Sequence, residues 1–280
     1  MPLIAATYGK SRVRVLRLAR RGDRHEVREL TLGVMLRGGF AAAWTGADNR
    51  SIVATDSIRN IVNVTAARHV EADAETFAGH VAAVFLETYP QVEEVSVEAS
   101  ETRWLRRAID GTPHGHTFTL DGNGTGHVGL RARRGASELR SGLRGYTFMK
   151  TTGSGFAGFV DDAYRTLPDA ADRIAATSMD ATWTWRGRPA DYGTANALVL
   201  DTLLAVFGAT FSHGIQDSMY RMGEAALAAV PEIAEIRLAM PNRHYVPVDL
   251  APFGLDGRGA VFLPTDEPHG QIEATIGRAG

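Results

Sequence analysis

The stretch PQVEEVSV at 90–97 returns as PEIAEIRL at 231–238, 141 residues later in a chain of 280. Each copy opens on a proline and then alternates apolar with acidic or polar residues, the period-two pattern of a strand with one face buried. Upstream of the first copy, Phe77, Val81, Val84 and Thr88 recur at helical spacing between Asp73 and the stop at Pro90. Upstream of the second, helical patterns run from about 194 to 207 and from about 216 to 230. Further out, RVRVLRL at 12–18, the polar RRGDR at 20–24 and a second run through Val27, Leu30, Leu32 and Val34 form an antiparallel hairpin. HTFTL, GHVGLRARR and SELRSGLRGYTFMK supply strands between 116 and 150, with DGNGTG at 121–126 as a turn. Strands around YTFMKTT and MDATWTW begin the second half. The shared order of hairpin, helix pair and hairpin predicts an α+β chain of two tandem domains, 1–140 and 141–280, related by duplication. Such layers leave sheet edges that need cover, which association with further copies supplies.

Composition narrows the chemistry. Lys and Arg number 30 against 32 Asp and Glu, so a net charge of −2 offers no general attraction for nucleic acid or an anionic membrane surface. Cysteine is absent, which excludes disulfides, thiolate metal sites and a cysteine nucleophile. The first 18 residues show no basic segment followed by an apolar run, and the longest apolar stretches read as too short for a membrane span; the expected location is the cytoplasm. Of the 30 cationic residues only two are lysines, Lys10 and Lys150. A desolvated ammonium can shed its proton near neutrality, whereas a guanidinium cannot.

The chain carries no GxGxxG after a strand, no GxxxxGK[ST], no GxSxG and no HExxH. His114 and His116 in PHGHTF stand two apart on a strand and share a face, half of a metal site with no third ligand placed by the sequence; a pair of surface imidazoles is the simpler account. KTTGSGFAGF at 150–159 combines small residues with two phenylalanines, either a loop offering an aromatic face to a flat ligand or a turn packing phenylalanine into the core. Arg173 and Gln216 bring coplanar donors and an amide acceptor, which suit the edge of a planar heterocycle. Asn242 and His244 alternate onto one face of a strand, where a histidine beside an amide can relay protons. Thr55 and Asp56 in VATDSIRN have the composition of a helix N-cap.

YGK at 8–10 with its following strand, VATD at 53–56, the segment 150–159, DRI at 172–174, the run 216–222, PNRH at 241–244 and GQIEATIGR at 270–278 together resemble the cofactor-independent urate oxidase (uricase) family. The resemblance spans nearly the whole chain. It implies the tunnelling fold (T-fold), in which two sheet-and-helix domains per chain assemble as a homotetramer around a tunnel. It also implies that Phe156 stacks on urate, that Arg173 and Gln216 clamp its pyrimidinedione edge, and that the backbone of Ile215 adds a hydrogen bond. Lys10, Thr55 and Asp56 would reach the same site from a neighbouring subunit. Lys10 and Thr55 would form a proton relay with His244, while Asn242 and Thr55 bound the pocket taken by dioxygen and then water. The implied reaction is oxidation of urate to 5-hydroxyisourate and hydrogen peroxide in purine degradation, with no metal or organic cofactor. Two alternatives keep the fold: a pterin or purine metal enzyme using His114 and His116, and a non-catalytic purine-binding relative, which needs no relay. The chain departs from the family pattern at Thr151, Gly155, Ala157 and Arg243. Gly155 and Ala157 would loosen the loop holding Phe156, and Lys150 is expected to be structural.

Overall fold

Tyr8–Arg21 (β1) and Arg24–Gly38 (β2) form the opening hairpin in the computed structural model of the chain, which describes residues 1–256 and 260–278. Val13 pairs with Leu32 and Val15 with Leu30, so the alternation seen in the sequence sends all four side chains to one buried face. This hairpin belongs to the first of two units, Met1–Gly142 and Leu143–Gly280.

In the first unit a short helix α1 (Ala41–Thr45) is followed by the helix pair α2 (Thr55–Arg68) and α3 (Ala74–Thr88), then β3 (Val92–Thr102), β4 (Trp104–Ile109), β5 (Thr112–Leu120) and β6 (Thr125–Arg133). The main sheet runs β1-β2-β3-β6, all antiparallel, while β4 and β5 pair only with each other. Leu30, Val34, Ile58, Phe77, Phe85 and Val97 are fully enclosed between sheet and helices. At about 1.5–3 kcal/mol per buried side chain, this layer supplies the main driving force for the unit. On α3 the buried stripe is Phe77, Ala78, Val81, Ala82 and Phe85; Val84, at the margin of that stripe, is half-buried, and Thr88, the last helical residue, is exposed. Arg17 also points to the core face. Its Nη1 donates to the carbonyls of His69 at 3.0 Å and Ala72 at 2.8 Å, its guanidinium lies 4.3 Å from the Phe77 ring centre, and burial lowers its pKa to about 10.

β7 (Ala136–Lys150) carries the chain into the second unit. There follow β8 (Ala175–Trp185), α4 (Tyr192–Ala209), α5 (Ile215–Ala229), β9 (Ile233–Ala239), β10 (Asn242–Pro247), a 3-10 turn (Ala251–Phe253), β11 (Phe262–Gly270) and β12 (Glu273–Gly277). The order β7-β8-β9-β12 repeats β1-β2-β3-β6, and an extra hairpin, β4–β5 or β10–β11, is inserted at the same point of each copy. β3 begins at Val92 and β9 at Ile233, the 141-residue displacement of the sequence echo.

Lys150 donates Nζ to the carbonyls of Phe207 at 3.0 Å and Thr210 at 2.8 Å, closing the C-terminus of α4. Burial, and secondarily Arg221, lowers its pKa, but the two carbonyls and the Phe207 ring, 4.8 Å from Nζ, hold it in a structural role. α4 corrects one expectation, since its 18 residues match a membrane span by length and composition. Its stripe Tyr192, Ala195, Val199, Leu203 and Phe207 is buried in the core of the second unit, where the helix packs on α5.

Candidate active site

In the first unit, YGK at 8–10 connects to the start of α2. Gly9 admits no side chain, since a Cβ there would stand 1.9 Å from the Val34 carbonyl oxygen. Lys10 pairs with Val34, and the register then slips before Val13, with Arg12 in the left-handed region at φ 58°. A bulge of this kind turns the strand and re-aims the side chains beside it. Lys10 is half-buried and has no hydrogen-bond or ion-pair partner among the described residues. Val53 donates its N–H to Tyr8 Oη at 2.8 Å, two residues before α2 begins at Thr55. Burial pushes the Tyr8 phenol up, so it stays protonated at neutral pH. Thr55 and Asp56 are not the N-cap their composition suggests. The cap is Ala54, which has no side chain to accept from the first turn, and Asp56 instead accepts from Arg59 at 2.5 Å and Asn60 at 3.0 Å.

In the second unit the loop at 150–159 is pinned from several directions. Asp172 accepts from Thr152 Oγ1 at 2.6 Å, Gly153 N at 2.9 Å and Ser154 N at 3.2 Å, and these bonds, the Thr152 hydroxyl first, hold its carboxyl below the usual range. Gly155 N–H donates to Ser212 at 2.8 Å, and Phe156 exchanges backbone bonds of 2.8 and 2.9 Å with Ala170. The expected looseness at Gly155 is therefore not found. A Cβ there would come within 3.0 Å of the Ala170 and Ala171 carbonyl oxygens, so glycine permits a close approach.

Phe156 stacks on Phe159 with ring centres 4.6 Å apart and planes 13° apart, and the Arg173 guanidinium lies 5.2 Å from the Phe156 ring centre. A Cβ on Gly214 would be 3.2 Å from Gln216 Oε1 and 3.7 Å from Phe156, so ring and amide flank one point at the start of α5. Burial lowers the Arg173 pKa, yet a guanidinium stays charged at neutral pH, and its buried Nε has no partner among the described residues. Phe156, Arg173 and Gln216 thus gather as an aromatic face, a cation and a primary amide. Ile215, first residue of α5, is buried, and its cap Gly214 provides no side-chain acceptor. Asn242 opens β10 between Thr177 of β8 and Gly270 of β11, and His244 pairs with Thr265, the β10–β11 register slipping between the two. Arg243 between them forks onto Asp266 with two bonds of 2.7 Å.

The helix starts supply a signal that the motifs do not. Asp73 caps α3 by accepting from Thr76 N, and Asp191 caps α4 by accepting from Thr194 N. α2 and α5 lack side-chain caps, and these two begin with Thr55, Asp56, Ile215 and Gln216. Both of these first turns carry a carboxylate, Asp56 and Asp217, at the positive end of the helix. That Ala54 and Gly214 are the caps emerges only from the structure, since composition puts the first cap at Thr55 and Asp56. Asp172 is visible as part of DRI, but not its pinning role, because no spacing reveals the Thr152 hydroxyl and the backbone N–H groups that it binds.

His114 and His116 lie with ring centres 4.5 Å apart, His116 N–H facing His114 Nδ1 at 3.3 Å, and His25 is 5.7 Å from His116. Among the described residues no group of three or more His, Cys, Asp or Glu is arranged to hold a metal ion.

A family model described as Uricase matches residues 6–129 and 139–273. The chain belongs to the uricase family. This uricase-family chain is 37% identical over 273 residues to a uricase of Arthrobacter globiformis, covering 98% of the chain and 89% of that relative. It is 34% identical over 290 residues to a uricase of Emericella nidulans, covering 98% and 96%. The crystal structure of uricase from Arthrobacter globiformis matches it with a TM-score of 0.94 over 100% of this chain and 96% of that one. Its α+β architecture is accordingly the tunnelling fold.

Proposed function

We propose that the chain oxidises urate with dioxygen and water to 5-hydroxyisourate and hydrogen peroxide, a step of purine degradation. The observation that carries this is the uricase family match along 6–129 and 139–273, with relatives named uricase at up to 37% identity. The second-unit geometry supports the binding half: the Phe156 ring for stacking, Arg173 and Gln216 for the pyrimidinedione edge, and the uncapped first turn at Ile215 for a further N–H donor. Bound urate then gives up a second proton. The conjugated dianion passes two electrons to dioxygen, which takes two protons to leave as hydrogen peroxide, and water adds its oxygen at ring carbon 5. An electron-rich dianion can reduce dioxygen directly, so no metal or organic cofactor is required, and the protein's work is to position and deprotonate. Lys10 and Thr55 with His244 are the relay, Asp56 lies beside it on the α2 first turn, and Asn242 with Thr55 bounds the place of dioxygen and then water.

The reading extends to a homotetramer in the cytoplasm, each site taking Lys10, Thr55 and Asp56 from a neighbouring subunit. The test is urate-dependent dioxygen consumption by chelator-treated protein. Equimolar loss of urate and dioxygen is expected. Lys10→Met should suppress turnover while retaining binding, and Arg173→Ala and Gln216→Ala should chiefly raise KM. Equal loss of affinity in all three variants, or activity removed by chelator and restored by a metal, overturns the proposal.

A further inference from the structure

We infer that Tyr8 is a positioning residue whose hydroxyl locks the strand carrying Lys10 to the start of the helix carrying Thr55, so that the relay pair is presented as one preset unit. The inference rests on the relay proposed above. Tyr8 and Lys10 are separated only by Gly9, whose missing side chain lets β1 lie against Val34. From that strand Tyr8 Oη accepts the Val53 N–H at 2.8 Å, two residues before Thr55. Val53 is buried at 4% exposure, so without Tyr8 its N–H would lack an acceptor in a place poor in water. The Tyr8 ring is itself held edge-on by Phe40 at 4.9 Å and Trp44 at 6.0 Å, which fixes the hydroxyl in space. The same loop has a second tie, Gln91 Nε2 to the Ser51 carbonyl at 2.9 Å, but that one anchors it at the start of β3. The Tyr8 bond is the tie that fixes it to the strand of Lys10. Since α2 has no side-chain cap, no capping residue of its own sets the direction of its first turn.

The test compares wild type, Tyr8→Phe, Thr55→Ala and the double variant in steady-state urate oxidation, with a thermal melt of each. Tyr8→Phe keeps the ring and its packing and removes one oxygen. The expected result is a fall in kcat of about tenfold, from a relay displaced by a fraction of an ångström, with KM within about twofold of wild type. The melting temperature should stay within about 3 °C. Adding Tyr8→Phe to Thr55→Ala should cost nothing further, because Tyr8 acts through Thr55. Wild-type kcat in Tyr8→Phe beside a crippled Thr55→Ala overturns the role of Tyr8 alone. So does a double variant in which the two losses multiply in full, or a loss of kcat accompanied by collapse of the melt. Full turnover in Thr55→Ala overturns the relay and the role of Tyr8 with it.

Discussion

Gly9→Ala is the substitution for which the structure fixes both a cause and a size. The new Cβ would lie 1.9 Å from the Val34 carbonyl oxygen and 2.8 Å from Met35 Cα. A carbon–oxygen contact settles near 3.3 Å, so β1 would have to withdraw from β2 by roughly 1.4 Å. Every atom in the clash belongs to backbone, so no side-chain rotation can relieve it. Lys10 is the next residue and pairs with Val34, and the displacement passes directly to its side chain. Overpacking of this kind costs about 1–3 kcal/mol of stability. A shift of about 1 Å in a catalytic group costs about 100-fold in rate, or about 2.7 kcal/mol of transition-state stabilisation. The assay is urate turnover and thermal melting, run beside Gly33→Ala on β2, where a Cβ meets nothing within 4 Å and the change should stay within about 0.5 kcal/mol. If Gly9→Ala keeps turnover within about threefold of wild type and melts with Gly33→Ala, the reasoning from close approach is refuted.

Two other substitutions separate stability from binding. Gly79→Ala, inside α3 with nothing within 4 Å of the added methyl, should raise stability by about 0.5–1 kcal/mol in a thermal or urea melt, and a loss would mean that the position is packed. Asp172→Asn weakens the acceptor that pins 152–154, so KM for urate should rise while kcat changes little. Because the Asp172 carboxyl is depressed in the fold, its tie is fully present above the unfolded value of about 3.9 and is lost only as pH falls through the lower folded value. The neutral-pH variant should therefore match wild type in acid, and an unchanged KM would dismiss the role.

What the sequence displays depends on which faces an element buries. β1, β2, β3 and β9 each bury one face, and their alternation shows the strands and even the 141-residue displacement. β4 buries neither face fully, and WLRRAI accordingly has no period to read. Among site residues, Phe156, Arg173 and Gln216 were legible as chemical types, but their convergence depends on a loop closed by Asp172 and by Ala170 backbone bonds. Thr55 and Asp56 misled in the other direction, since good capping residues stand inside the first turn when the chain enters the helix one residue earlier. Lys10 was marked by rarity and motif, whereas the bulge that aims it follows from the slip between Lys10 and Val13, which composition does not announce.

The helix caps connect the duplication to the candidate site. A missing N-cap costs about 1 kcal/mol, and besides the five-residue α1 it is missing at one helix of each pair. Inheritance from a duplicated ancestor would leave the same helix of each pair uncapped. Instead the bare start is the first helix of the first pair, α2, and the second helix of the second pair, α5, while α3 and α4 keep their aspartates. Within the two helix pairs the bare starts, at Thr55 and Ile215, therefore do not follow the repeat. Each of these first turns carries a carboxylate of its own, Asp56 in α2 and Asp217 in α5, which meets the positive end of the helix where a cap is missing.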